Sequence, residues 1–379
     1  MSATAAVIAP ARTRFAITLA ERAADAELRA LLRDNPMNGS IEVTFEREPD
    51  FFAACAIRGS FYQVGVGRDR NSGRIVGLGT RSIAEAFVNG RSAHFGWLSD
   101  LRLEPAHRGG TLIARGYRFL RQLHSDRRVE LYGTVIFHDN QTALETIAAT
   151  RAGLPAYHDL GVIHCPGINL RRPKPAINAD CEIVRGRREL LPAIVDCLNR
   201  NNRRKQFAPA HDAESFIHGN RWKDFKPSDF YVALQNNHVI GVVGRWDQTA
   251  FKQTRVISYG KRLRWIVPAA NAVQSLLGAP TFPEPGQYIP FFYVSFIAID
   301  HDHAGVFRAL LRRVYNDSVG SAFRYAMVGL HERDPLLPAL QDYSLTPFAG
   351  RLFCVCFADG EPMYQTLDGR VPYVEAATL

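Results

Sequence analysis

One order of strand and helix patterns runs through this chain twice, and that repetition restricts its fold more than any other feature. In the first run a strand over 14–19 precedes a helical pattern over 20–33, with Ala23, Leu28, Leu31 and Leu32 on its apolar face and Asn35-Pro36 stopping it. Strand-like runs follow at 62–66, 75–80 and 84–88, and Asn89-Gly90 marks a hairpin from which a strand returns over 94–103. A helix to about Leu123, a strand over 129–137, a helix over 140–150 and a strand over 160–170 complete the run. After a linker rich in Pro and Arg the order returns: strand 181–184, helix 190–199, strands 230–234 and 238–245, an inserted helix over 263–277, strand 291–299, a helix to about Tyr315, strand 325–331, helix 335–340 and strand 351–357.

Two local matches reinforce the repeat. Val135-Ile136-Phe137-His138-Asp139 resembles Val328-Gly329-Leu330-His331-Glu332, and Leu101-Arg102-Leu103 resembles Ile297-Ala298-Ile299. A chain of 379 residues exceeds one ordinary core. We therefore expect a first domain over 1–172, a linker at 173–180 and a second domain over 181–379. The hydrophobic fraction of 46% and charged fraction of 22% suit a globular chain. No apolar run approaches the ~18 residues of a membrane span, and the N-terminus lacks the pattern of a signal peptide.

Six cysteines, spread from Cys55 to Cys356, form no disulfide framework. Cys354 and Cys356 share one face of a strand and read as buried thiols, so no metal is expected. The expected setting is cytoplasmic and reducing, without a membrane partner. The net charge of +9 is moderate, and the densest basic stretch, Arg171 to Lys205, carries ten Lys or Arg against four acids. It lacks interleaved aromatics and any nucleic-acid module, so it reads as a solvated face, and nucleic acid is not an expected partner. Oligomeric state is left open.

Trp97 to Arg115 carries the chemistry. An alternating strand ends at Pro105, and Arg108-Gly109-Gly110 leads through a tight turn into a helix. A helix N-terminus offers unpaired N–H groups and a positive dipole end. Two glycines let an anion approach the backbone, and Arg108 adds charge. This suits a pyrophosphate, although a glycine turn that merely packs a helix on a sheet has the same pattern.

Leu101-x-Leu103-x-Pro105-x-x-Arg108-Gly109 resembles motif A of the GNAT (GCN5-related N-acetyltransferase) superfamily, in which V-x-P is followed after two residues by R-G-x-G-x-G/A. Asn140-x-x-Ala143, opening the next helix, is similar to the family's second signature. The resemblance implies an α/β (α+β) protein of two tandem GNAT-like acyl-CoA N-acyltransferase domains, each a mixed, mostly antiparallel twisted sheet flanked by helices. It implies an acetyl-CoA-dependent N-acetyltransferase acting by direct attack of a small-molecule or peptide amine. Backbone amides of Arg108, Gly109, Gly110, Thr111, Leu112 and Ile113 would hold the CoA pyrophosphate. Main-chain groups of Leu101, Arg102 and Leu103 would pair with the pantetheine arm, and Asn140 would contact the cofactor. The sheet is expected to splay beside that strand, freeing an N–H to stabilise the oxyanion. Thr111 and Ile113 depart from the small residues usual there, and Thr111 is expected to offer its hydroxyl to a phosphate.

The family's tyrosine seven residues after the Asn is Ile147 here. Tyr157 is the nearest substitute as the acid for the CoA thiolate, with a packing role as the alternative. Asp100 lies beside the expected acetyl site, as a base, a ligand for a cationic amine, or a structural carboxylate. His94 and His138 are further candidates. In the second domain Ala304, Val306 and Phe307 replace Arg108, Gly110 and Thr111, and Arg333 replaces Asn140. That domain is expected to have lost the site and to wall the acceptor pocket. Phe291-Phe292-Tyr293, Tyr343 and the Arg47–Phe52 segment are candidate walls, and His301-Asp302-His303 reads as solvent-exposed. Two other functions fit the sequence: a non-catalytic acyl-CoA sensor, and a transferase with a macromolecular donor docked on the basic linker.

Overall fold

The computed structural model describes residues 14–37, 39–108, 110–138, 140, 144, 154–219, 221–276 and 281–379. The first half supplies β1 (Phe15–Leu19), β2 (Ile41–Glu46), β3 (Phe61–Asp69), β4 (Ile75–Val88), β5 (Arg91–Leu103), β6 (Leu131–Phe137), β7 (Ala156–His164) and β8 (Gly167–Asn169). The second supplies β9 (Glu182–Arg185), β10 (Phe230–Gln235), β11 (His238–Trp246), β12 (Gln253–Tyr259), β13 (Phe291–Ile299), β14 (Tyr325–Val328), β15 (Leu330–His331), β16 (Leu345–Thr346) and β17 (Ala349–Cys356). The expected hairpin is present: Val88 faces Arg91, and Asn89 and Gly90 take φ +50° and +76°, the two left-handed residues of a tight primed turn. Its strands are longer than the sequence runs suggest, because 75–80 and 84–88 merge into β4. The expected helix over 140–150, with Ile147, lies outside the described residues apart from Asn140 and Leu144.

Two large sheets carry the molecule, in the orders β1-β3-β4-β5-β6-β17-β7-β15 and β16-β8-β14-β13-β11-β10-β9. The linker at 173–180 therefore divides the sequence but not the sheets. β17, expected to close the second domain, lies between β6 and β7 of the first sheet, antiparallel to both. Its composition explains the place. Leu352, Cys354, Val355 and Cys356 are all fully buried, so both faces are covered, as in an interior strand. In return β8 leaves the first half to pair with β14. The single strand expected at 325–331 is two, β14 in the second sheet and β15 in the first. They part at Gly329, where a Cβ would stand 2.5 Å from that of Ala376.

A third, two-stranded sheet was not anticipated. β2 pairs with β12 antiparallel, joining the halves a second time. Helices cover the large sheets by apolar faces. Leu28, Leu31 and Leu32 of the helix Asp25–Arg33 pack with Val64, Val66 and Leu78 of the first sheet. The second sheet is covered by Leu191–Asn202 on one face, through Ile194, Cys197 and Leu198, and by Ala304–Ser318 on the other, through Phe307, Leu310 and Val314. Among the described residues no helix is long and apolar enough to cross a membrane.

Candidate active site

Beyond Trp97 the first sheet comes apart. β5 runs antiparallel to β4, yet it meets β6 only at Gly96↔Tyr132 and Trp97↔Gly133, in parallel. Both contacts need glycine: a Cβ on Gly96 would stand 2.2 Å from the Tyr132 ring, and one on Gly133 2.7 Å from that of Trp97. The register with β4 then slips. Leu78 faces Arg102 and Thr80 faces Ser99, so Asp100 and Leu101 bulge opposite Gly79. Asp100 takes φ +54°, a conformation that costs a non-glycine residue on the order of 1 kcal/mol. A bulge bends its strand, and this one turns the end of β5 from β6. The wedge exposes Leu101 to 52% and leaves Leu98–Leu103 without a partner strand on that side among the described residues. Arg102 donates to the Leu101 carbonyl at 3.0 Å and Arg108 Nε to that of Leu103 at 3.3 Å.

β5 ends in one 3-10 turn, Pro105–His107, after which Arg108 is extended and Gly110 exposed; Gly109 lies outside the described residues. The helix Leu112–His124 begins after Thr111, whose side chain makes no capping bond, and no acid stands in its first turn. Its N-terminus thus presents N–H groups and a positive dipole end beside Arg108, an arrangement that favours an anion. Leu112 seats the helix on the sheet, with a terminal carbon 3.0 Å from where a Cβ on Gly67 would be. Wedge and helix N-terminus open into one cavity of about 1730 Å³, lined by Leu101, Arg102, Leu103, Arg108, Gly110, Leu112, Ile113 and Asn140. Thr111 stands exposed beside them. Pockets for one small ligand hold about 300–1,000 Å³, so two substrates fit side by side.

The sequence matches no protein-family model and no curated protein. Solved structures do match, over nearly the whole chain. N-myristoyltransferase of Saccharomyces cerevisiae with bound myristoyl-CoA shares 10% identity at a TM-score of 0.59, over 92% of this chain and 84% of its own. A GCN5-related N-acetyltransferase of Sphaerobacter thermophilus shares 11% at 0.54, over 97% and 99%. Another, of Anabaena variabilis, shares 11% at 0.52, over 90% and 72%. The chain has the GNAT fold. The splayed strand pair expected from the resemblance is present where β5 parts from β6.

On this fold the charges around the bulge form one buried cluster. The side chain of Asp100 is 7% exposed and lies between two buried guanidiniums, paired with Arg58 through both oxygens and with Arg47 at 3.3 Å. Burial alone would raise its proton affinity, but Arg58 and Arg47 outweigh this and hold the carboxyl well below the usual carboxylate range. Asp100 is therefore a poor base, and of the roles the sequence left open its pairing suits that of a structural carboxylate that balances charge. Its partners are Arg58 and Arg47, whereas the guanidinium of Arg102 turns to Leu101. Lys252 also lines the cavity and donates to the main-chain oxygens of Ala377 at 2.8 Å and Leu379 at 2.7 Å. Burial, then repulsion by Arg47 and Arg58, pushes its ammonium well below the usual lysine value. Arg47 Nε is buried and finds no acceptor among the described residues.

Tyr157, on β7, lines the same cavity and shares a hydrogen bond with Tyr117 of the helix Leu112–His124. Burial, then Tyr117, pushes its phenol well above the usual tyrosine value, so it stays protonated and able to donate. His138 lines the cavity; His94 is exposed on the hairpin away from it. Of the expected walls, Arg47, Phe291 and Tyr293 line the cavity. Phe292 and Tyr343 belong to the second core, and Phe51 and Phe52 pack under the helix Asp25–Arg33.

The second sheet repeats the bulge but not the opening. Its register slips between Val242 and Gly244, and Phe296 takes φ +55° where Asp100 takes +54°. There the Phe296 N–H donates to Glu375 Oε2 at 2.9 Å, so a C-terminal segment closes the gap. His303 accepts from Val306 N–H at 3.3 Å and caps the helix Ala304–Ser318, while Val306 and Phe307 are buried. His303 is thus a helix cap, and Asp302 pairs with Arg204.

Proposed function

We propose that this protein is an acyl-CoA-dependent N-acyltransferase with one working site, in the first sheet, and that acetyl-CoA serves as its donor. The observation that carries this is the contrast between the two bulges. One opens onto a helix N-terminus without a side-chain cap and beside Arg108; the other is closed by Glu375 and a self-capped helix. In this reading the turn from Arg108 through Gly109 and Gly110 to Ile113 holds the pyrophosphate by backbone N–H groups. Thr111 adds a hydroxyl, Leu101–Leu103 align the pantetheine arm, and Asn140 steadies it.

The field of the cavity does the rest. Arg47 and Arg58 flank the single carboxylate of Asp100, so the surroundings favour negative charge developing on the thioester oxygen and the departing thiolate. The same field bears on the acceptor. Lys252 is itself a primary amine at this place, and its proton affinity is depressed. An acceptor ammonium entering beside it loses its proton more readily than in water, so a strong carboxylate base is not required. The amine attacks the thioester carbonyl and the carbon–sulfur bond breaks; the surplus proton on the newly bonded nitrogen passes to solvent, and Tyr157 gives the leaving thiolate a proton that solvent returns to it.

Calorimetry with acetyl-CoA tests the reading. Wild type binds, and Arg108→Ala binds about tenfold more weakly, through loss of a charge-assisted contact. No binding by wild type ends the proposal. Binding without CoA release above hydrolysis, across a panel of amines and of donors from acetyl- to myristoyl-CoA, indicates a sensor instead.

A further inference from the structure

We propose that His158, Cys356 and Glu361 form a zinc site that clamps β17 to β7. The three side chains come from β7, β17 and the short helix Glu361–Gln365. None of them lines the cavity, whereas Tyr157, the neighbour of His158 on its strand, does. The site therefore lies on the opposite face of the sheet from the proposed chemistry.

The ligand atoms have the spacing an ion would set. His158 Nε2 lies 3.0 Å from Glu361 Oε2 and 3.6 Å from Cys356 Sγ, and Cys356 Sγ lies 3.4 Å from Glu361 Oε2. A tetrahedral zinc with N and O ligands at about 2.0–2.1 Å and sulfur at about 2.3 Å places its ligands roughly 3.3–3.6 Å apart. Each observed edge falls within about 0.4 Å of that range.

Direction agrees with distance. Cys356 and Glu361 both face the same ring nitrogen, Nε2. A nucleophile–histidine–carboxylate relay uses the two ring nitrogens for different partners; ligands of one cation converge on a point, as these do. The imidazole is held by a group outside the set, with the Tyr364 ring stacked on it at 3.6 Å and 13°. Glu361 uses its other oxygen, Oε1, to accept from Gln365 at 2.7 Å, which leaves Oε2 turned inward. Such outer contacts fix the orientation of metal ligands.

The donor set of thiolate, imidazole and carboxylate suits zinc better than calcium or magnesium. Side-chain exposures of 39% for Glu361 and 23% for His158 leave room for a water as fourth ligand. On binding, the Cys356 thiol gives its proton to solvent and the thiolate takes the ion. The clamp joins residues 198 apart in sequence, from opposite sides of the linker.

Cobalt(II) and zinc titrations of the full-length, chelator-stripped protein test the proposal. Cobalt is expected to bind stoichiometrically with the intense visible bands of a tetrahedral site and a near-ultraviolet sulfur-to-cobalt band. Zinc displaces it with Kd of about 1 µM or tighter and raises the unfolding midpoint by several degrees. Cys356→Ser removes the sulfur band and weakens zinc at least about tenfold, and His158→Ala weakens it likewise. Cys354→Ser, changing the neighbouring buried thiol, keeps band and affinity. Where Cys356→Ser does not fold, Glu361→Gln on the half-exposed helix replaces it and gives the same weakening of zinc. The proposal is overturned by failure of stoichiometric binding, by a cobalt spectrum without a sulfur band, or by affinity that survives both His158→Ala and Glu361→Gln.

Discussion

Asp100→Asn distinguishes a carboxylate that titrates during turnover from one that balances charge. The substitution leaves Arg58 and Arg47 buried without their counter-ion, a change that costs about 3–5 kcal/mol in comparable buried pairs. A lowered denaturant midpoint with unchanged slope is therefore expected. The pH–rate profile of the remaining activity keeps its acid limb, because the native carboxyl stays ionised throughout the working range. The linkage runs in the same direction. The folded proton affinity lies below the unfolded value of about 3.9. The stabilisation by Asp100 is therefore complete above that pH and fades only as pH falls further, toward the folded value. A profile whose acid limb disappears in Asp100→Asn would restore the role as base. Nothing local in the sequence points to this cluster. Arg58 and Arg47 lie 42 and 53 residues from Asp100, and Lys252 lies in the other half. The turn proposed to hold the pyrophosphate is different: its residues, Arg108 to Ile113, are contiguous, so the sequence could point to them as a unit.

At the scale of elements, the wedge rests on two glycines where β5 and β6 touch. Gly96→Ala drives a Cβ into the Tyr132 ring, whose hydroxyl is tied to Arg81 and His124. Overpacking of that kind costs about 1–3 kcal/mol. It also pushes the strands apart below the wedge, so a rise in KM for acyl-CoA is expected alongside the lower melting temperature. An unchanged KM would mean that the opening is set by the bulge alone. Such local geometry was partly legible. Asn89-Gly90 announced its turn, and the strand–turn–helix of 97–115 was readable because strand alternation, proline and glycine fall in one short segment. β2 was legible and missed, since Ile41, Val43 and Phe45 alternate with polar residues over six positions. The bulge was not legible. A left-handed aspartate is uncommon and leaves no pattern of its own, and the bulge appears only once the register of β4 is known.

For the whole molecule, what matters is that the halves exchange strands. Periodicity and turn residues report which segments are strands, but partner choice depends on contacts between residues far apart. A duplicated order of elements thus suggested two domains divided at the linker, whereas the sheets are interleaved across it. The two-faced apolar run Leu352–Cys356 was the available clue. Cut at the linker, β6 keeps only its two-residue contact with β5, and β7 loses both of its neighbours, β17 and β15. Two edges then present apolar surface and unpaired backbone groups, which drive aggregation. The second sheet loses β8 from between β14 and β16 in the same cut. Residues 1–176 and 177–379 expressed separately should therefore be insoluble or lack a cooperative transition. Expressed together they should copurify as a complex that binds acetyl-CoA, because the break falls in the linker and spares every strand. Gel filtration and thermal melting of the two fragments and their complex check this. A fragment 1–176 that melts cooperatively and binds acetyl-CoA by itself would show that β17 is dispensable, and that the site needs only the half in which its residues lie.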